Sequence, residues 1–229
     1  MKIFAAWAAP LVAAFWLAGP QLRAGSIVGT IQGHGPAPVE GNESAGGYGS
    51  MRYKFAERVD YEHLQDFVVY INQTVPGAPP PDAQRQMAQK NVAFDPHVLA
   101  IPVGTRVNWP NYDEIYHNVF SMSDSDAFDL GLRTNKDQVQ TRVFSTPGRI
   151  DVFCSIHSKM HGIILVLPSP YFAKVNSRQR YRIEAVPAGT YQLRGWHERL
   201  PPQNRTVIVP ATGEVRVDFD LGLGDLPKS

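Results

Sequence analysis

The plainest alternation of apolar and polar positions lies near the C-terminus. In residues 214–221 (EVRVDFDL), Val215, Val217 and Phe219 fall on one side and Glu214, Arg216 and Asp218 on the other, the period-two pattern of a strand with one buried face. Elsewhere the apolar runs are short. Residues 26–32 (SIVGTIQ) read as an opening strand and 66–72 (DFVVYIN) as a buried one, whereas 51–65 fits neither period and stays open between a strand and a short helix. A series of strand-like runs follows at 88–94, 98–102, 105–109, 117–121, 139–144, 149–154 and 162–167, and a third set at 171–175, 181–185, 190–196, 206–209 and 214–219. Nineteen Gly and 19 Pro cut the chain between these runs, which favours strands joined by turns over long helices.

Breaker clusters also suggest boundaries. The run VPGAPPPDA at 75–83 is the clearest linker, because consecutive prolines cannot join a ladder and favour a stiff, extended spacer. A second break stands at Pro168-Ser169-Pro170. With 229 residues the chain has room for two ordinary domains, at roughly 100–200 residues each. The first two dozen residues differ from the rest. Lys2 is followed by an apolar run over 3–17 and a small-residue end at Ala24-Gly25, with Pro10 and Pro20 bracketing it. This reads as a secretory leader cleaved near Ala24, shorter than the roughly 20 apolar residues of a membrane span. The mature chain is then expected in the periplasm, with no integral membrane span.

Composition removes some partners. Lys+Arg 22 against Asp+Glu 21 leaves a formal charge of +1, too balanced to hold nucleic acid by bulk electrostatics. Hydrophobic residues at 43%, with aromatics at 10%, supply a core and exclude a disordered chain.

Cys154 is the only cysteine. In an exported chain it has no internal disulfide partner, so it is either a small buried hydrophobe or a thiol held by something else. Its neighbours favour the second. Within DVFCSIHSKMHG at 151–162, Cys154, His157 and Met160 recur at steps of three, and YHNVFS at 116–121 brings His117 beside another strand. Two imidazoles, a thiolate and a thioether form a donor set that selects copper, since soft sulfur suits Cu(I) and His₂Cys with a weak axial Met marks an electron-transfer site. Zinc is less favoured because its structural sites close with four Cys/His ligands. His161 is open as an alternative ligand or a titratable neighbour. His34, His63, His97 and His197 fit no ligand spacing and read as ordinary histidines. A Cys/His hydrolase lacks an identifiable orienting group near VFCSIH.

With the spacing C-x-x-H-x-x-M, the HNVF at the first histidine, the approach TPGRIDVFC and Gly162 opening the last strand, residues 86–168 resemble a cupredoxin of the amicyanin and plastocyanin type. The resemblance implies a Greek-key β-sandwich holding one type 1 copper ion. Its ligands would be His117, Cys154, His157 and Met160, and Asn118 beside the first ligand would tie the two ligand loops together. It further implies a buried His117, with His157 reaching the surface within an apolar rim as the electron exit. Residues 171–198 resemble the second half of a carboxypeptidase-regulatory-like sandwich, and 26–32 and 67–72 its earlier strands.

The expected fold is therefore all-β: a cupredoxin sandwich plus a second, smaller sandwich made by the flanks. The expected division is a leader at 1–24, a first flank at 25–75, a linker at 76–85, the copper segment at 86–168, a second flank at 169–222 and a tail at 223–229. The composite pattern looks like exported proteins of the methylamine-utilisation type. The cupredoxin resemblance implies a non-enzymatic carrier passing single electrons between redox proteins such as a c-type cytochrome or a dehydrogenase. The alternatives are a copper-carrying or copper-sensing module, and a partner- or glycan-binding sandwich with a secondary copper site.

Overall fold

The computed structural model describes residues 24–34, 66–81, 84–124 and 126–222, and every named element among them is a β-strand. The expectations for the leader, for 51–65, for His63 and for the tail lie outside these residues. The all-β class holds, and the strands form two sandwiches.

The outermost sheet has the order β14 (Arg180–Pro187), β1 (Ala24–His34), β17 (Glu214–Arg216), with β18 (Phe219–Gly222) also paired to β1. It faces a second sheet of order β13 (Phe172–Lys174), β2 (Val68–Ile71), β15 (Gly189–His197), β16 (Leu200–Val209). Ile27 and Ile31 of β1, Val69 and Ile71 of β2, Leu193 of β15 and Phe219 of β18 fill the core between them.

The other sandwich pairs a five-stranded sheet with a three-stranded one. The larger has the order β6 (Val98–Pro102), β12 (His161–Leu167), β11 (Gly148–Phe153), β8 (His117–Ser121), β9 (Phe128–Arg133), and the smaller has β10 (Gln140–Val143), β7 (Arg106–Trp109), β3 (Arg85–Gln86). The chain crosses between these sheets at β6–β7, β7–β8, β9–β10 and β10–β11, which is Greek-key wiring. Ile164 and Val166 of β12, Ile150 and Val152 of β11, Val107 and Trp109 of β7, and Phe144 form its core.

A third apolar cluster joins the two sandwiches. Val68 and Tyr70 of β2 and Trp196 of β15 pack on Val98, Ala100, Ile163, Leu165 and Leu167. This explains two runs that alternate in neither sense. FVVYI and IILVL are apolar at successive positions because β2 and β12 have no wet face, and each sends alternate side chains into different cores.

Several sequence expectations change in detail. The single strand expected at 88–94 is a hairpin, β4 (Ala88–Lys90) and β5 (Ala93–Asp95), because Asn91 and Val92 turn the chain at φ 55° and 59°. A β-branched residue there is unusual, and the site below supplies its anchor. The expected strand 214–219 divides into β17 and β18. At the division Asp218 accepts the Thr30 N–H (2.7 Å), although the inside–outside alternation persists. β16 begins six residues earlier than expected and contains Pro201 and Pro202. It is a sheet edge, where missing N–H donors cost no ladder bonds. β9 lies outside the expected strands, since Gly131 at φ 72° interrupts an otherwise alternating FDLGLR.

Leu167 is fully buried in the cluster between the sandwiches. Leu167→Ala should lower the unfolding free energy by about 2–5 kcal/mol in a urea titration; a change under about 1 kcal/mol would show that the shared cluster contributes little. His197, also buried, packs against Phe67 with the rings tilted and their centroids 4.4 Å apart, and burial pushes its pKa down to about 4 from 6.5. Between those values the unfolded chain holds the extra proton, so stability should fall by about 3 kcal/mol as pH drops from roughly 6.5 to 4. His197→Asn should flatten that limb of the pH–stability curve.

Candidate metal centre

The candidate residues gather because of strand adjacency. β11 ends at Phe153, the loop 154–160 follows, and β12 begins at His161. The loop closes on itself: the Cys154 N–H donates to the Met160 carbonyl (3.2 Å) and the Met160 N–H to the His157 carbonyl (2.9 Å). β8 is the antiparallel neighbour of β11, with Phe120 opposite Phe153. Its first residue, His117, therefore lies at the end of the sheet where Cys154 emerges.

His117 Nδ1 stands 3.1 Å from His157 Nδ1 and 3.9 Å from Cys154 Sγ, and Cys154 Sγ stands 3.6 Å from His157 Nδ1. Donors about 2.0–2.3 Å from a shared tetrahedral ion lie about 3.3–3.6 Å apart, so the three atoms have the spacing a single ion requires. Both sulfur-bearing side chains are buried in one apolar core, Met160 almost completely. His117 is fully buried and His157 half-buried. The donor set fits a soft or borderline metal, with copper first.

Two features fix the donors. The Asn118 N–H points at Cys154 Sγ (3.4 Å), a contact that stabilises negative charge on sulfur. Asn118 thus links the two ligand-bearing segments through its main chain, and its side chain is bonded elsewhere. Its amide donates to Asp129 Oδ1 (2.7 Å), which ties β8 to β9, and the main chain alone reaches the cysteine loop.

Asp113, which the sequence did not single out, holds His117. Its Oδ2 lies 2.8 Å from His117 Nε2, leaving Nδ1 toward the cluster. The same carboxylate accepts the N–H groups of Asn91 (2.8 Å) and Val92 (3.0 Å), anchoring the positive-φ turn of the β4–β5 hairpin. Burial would raise the pKa of Asp113, but the Val92 and Asn91 N–H groups and His117 outweigh it and keep the carboxyl below its ordinary value. An acid four positions before a histidine was the available signal, yet Glu114 beside it has equal claim from sequence.

His161 does not join His117, Cys154 and His157. Its Nε2 meets Asp151 Oδ1 at 2.8 Å, and its ring stacks on Phe153. With His97 and Glu198 it forms a second group, one donor atom of each lying within 4.8 Å of the others. His34 pairs with Asp220 on the surface.

No protein-family model matches the chain and no curated protein does. Many solved structures are similar to part of it. A Cu-containing nitrite reductase from Thermus scotoductus is 27% identical over 41% of this chain and 25% of its own, with a TM-score of 0.35. A purple cupredoxin from Nitrosopumilus maritimus is 28% identical over 37% of this chain and 99% of its own, at 0.31. A reduced mutant of amicyanin is 22% identical over 43% of this chain and 97% of its own, at 0.34. The chain thus spans a quarter of the length of the reductase and nearly all of the other two.

Asp113→Asn keeps the shape of the side chain and removes its charge. It should weaken copper binding at His117, Cys154 and His157 by about 10–100-fold, read by competition with a chelator of known affinity. Unchanged affinity would mean that the carboxylate serves only the hairpin turn.

Proposed function

We propose that this protein is an exported cupredoxin that carries single electrons on one type 1 copper ion, held by His117, Cys154, His157 and Met160. The observation that carries the reading is the convergence of two imidazole nitrogens and one thiol sulfur within 3.9 Å of one another, with a buried thioether in the same core. When bound, copper supplies one-electron exchange between Cu(II) and Cu(I).

The protein's contribution is stiffness. Electron exchange is fast when donor atoms need not move between oxidation states, and packing with outer hydrogen bonds achieves that. Asp113 fixes the tautomer and tilt of His117, the Asn118 N–H steadies the sulfur, and the two main-chain bonds of the 154–160 loop fix the spacing from Cys154 to Met160. The half-buried His157 is the natural exit for the electron. Ile156 beside it, and Ile115 and Tyr116 beside His117, are 45–58% exposed and supply an apolar rim for a redox partner such as a c-type cytochrome or a dehydrogenase.

The same proposal assigns residues 86–168 to the copper unit, joined through the 76–85 linker and inserted between flanks 25–75 and 169–222 that together make the smaller sandwich. The apolar leader at 3–17 supports export to the periplasm, with cleavage near Ala24. Among the described residues no helix is long and apolar enough to cross a membrane.

Anaerobic reconstitution with copper tests the reading. Visible absorption should show an intense thiolate-to-copper band, EPR a small hyperfine splitting, and Cys154→Ser should abolish the band. A pale adduct that chelators strip readily would overturn electron transfer in favour of metal carriage.

A further inference from the structure

A second group of metal-ligand side chains lies at the seam between the sandwiches. His97 precedes β6, His161 opens β12, and Glu198 occupies the turn between β15 and β16, so three distant chain segments and both sandwiches contribute. One donor atom from each lies within 4.8 Å of the other two, and all three residues are half-buried.

The histidines are oriented as ligands are. His97 Nδ1 lies 3.2 Å from the His161 carbonyl, which accepts from it, so Nε2 faces Glu198 and pairs with its Oε1 at 3.2 Å. A separation of 3.2 Å is close to the roughly 3.3 Å expected for two donors about 2.0–2.1 Å from one tetrahedral ion. His161 is steered by a carboxylate, Asp151 Oδ1 at 2.8 Å from Nε2, which Arg149 grips in turn with both arms of its guanidinium. A carboxylate or carbonyl behind each imidazole is the arrangement that fixes metal-binding histidines. The backbone holds the pair in place: the Ile163 N–H donates to the His97 carbonyl (2.8 Å), and Gly162 lets that carbonyl come within 3.3 Å of where a Cβ would stand. Arg199 Nε is 3.4 Å from the same Glu198 oxygen, but its side chain is 36% exposed and free to turn to water.

We propose that His97, His161 and Glu198 form a second metal site, distinct from the cysteine centre, for a borderline divalent cation such as zinc. Two imidazoles and one carboxylate suit such an ion and leave a fourth position for water. The bound ion clamps the smaller sandwich, through Glu198, to the strand that follows Met160. The inference stands independently of copper at Cys154.

Zinc alone is the probe, with the full chain in equilibrium dialysis followed by elemental analysis. Wild type should bind one more equivalent than Glu198→Gln or His97→Gln, with affinity for that equivalent falling at least about tenfold in each. Cys154→Ser should keep it. Zinc should also raise the thermal midpoint of Cys154→Ser, but not of the double variant Cys154→Ser/Glu198→Gln, whose own midpoint without metal reports whether it folds. If both glutamine variants bind as much zinc as wild type, or if wild type gains no such equivalent, the group is an ion-pair clasp only and the proposal fails. Failure of the copper reading would leave these zinc results unchanged.

Discussion

Everything at the cysteine end of the larger sandwich depends on where β12 stops sliding. Its side chains are apolar on both faces, so hydrophobic pattern alone fixes its register weakly, since a slip of one residue would exchange one apolar face for another. Gly162 supplies the missing constraint. A Cβ there would come within 3.0 Å of the Phe94 Cβ and 3.3 Å of the His97 carbonyl, so neither His161 nor Ile163 can occupy that place. The glycine pins the strand, and with it the position of Met160 one step outside and the parallel pairing of Ile163–Leu167 with Val98–Pro102.

Given that register, the rest follows from adjacency in one sheet. β11 and β12 deliver the two ends of the 154–160 loop, β8 brings His117 antiparallel to the end of β11, and a register shift between Asn118 and Phe120 next to the site re-aims the start of β8. The donor atoms are then held by groups that carry no metal-binding signature: a main-chain N–H, two loop carbonyls and a carboxylate.

How much of this was legible in the sequence varied with the kind of signal. The all-β class showed in the breaker spacing, and the residues at 117, 154, 157 and 160 stood out because thiol, imidazole and thioether at regular steps are chemically unusual. Asp113 did not stand out, because its role depends on three contacts made across 21, 22 and 4 positions of chain, and one acid in a loop has no periodicity. The β4–β5 hairpin was hidden for the same reason: Asn91-Val92 is a poor turn by local preference and exists through a distant carboxylate. The group at His97, His161 and Glu198 escaped notice because its members share no spacing and meet only after both sandwiches form.

The carboxylate at 113 has a consequence for descent. One side chain satisfies the donors of a strained bend and orients a buried ring, so a change at 91, 92, 113 or 117 acts on one shared carboxylate. Glycine at 92 would relax the bend, yet the acid at 113 would still be needed to hold the ring at 117. Drift at an outward-facing corner is thereby yoked to the innermost imidazole.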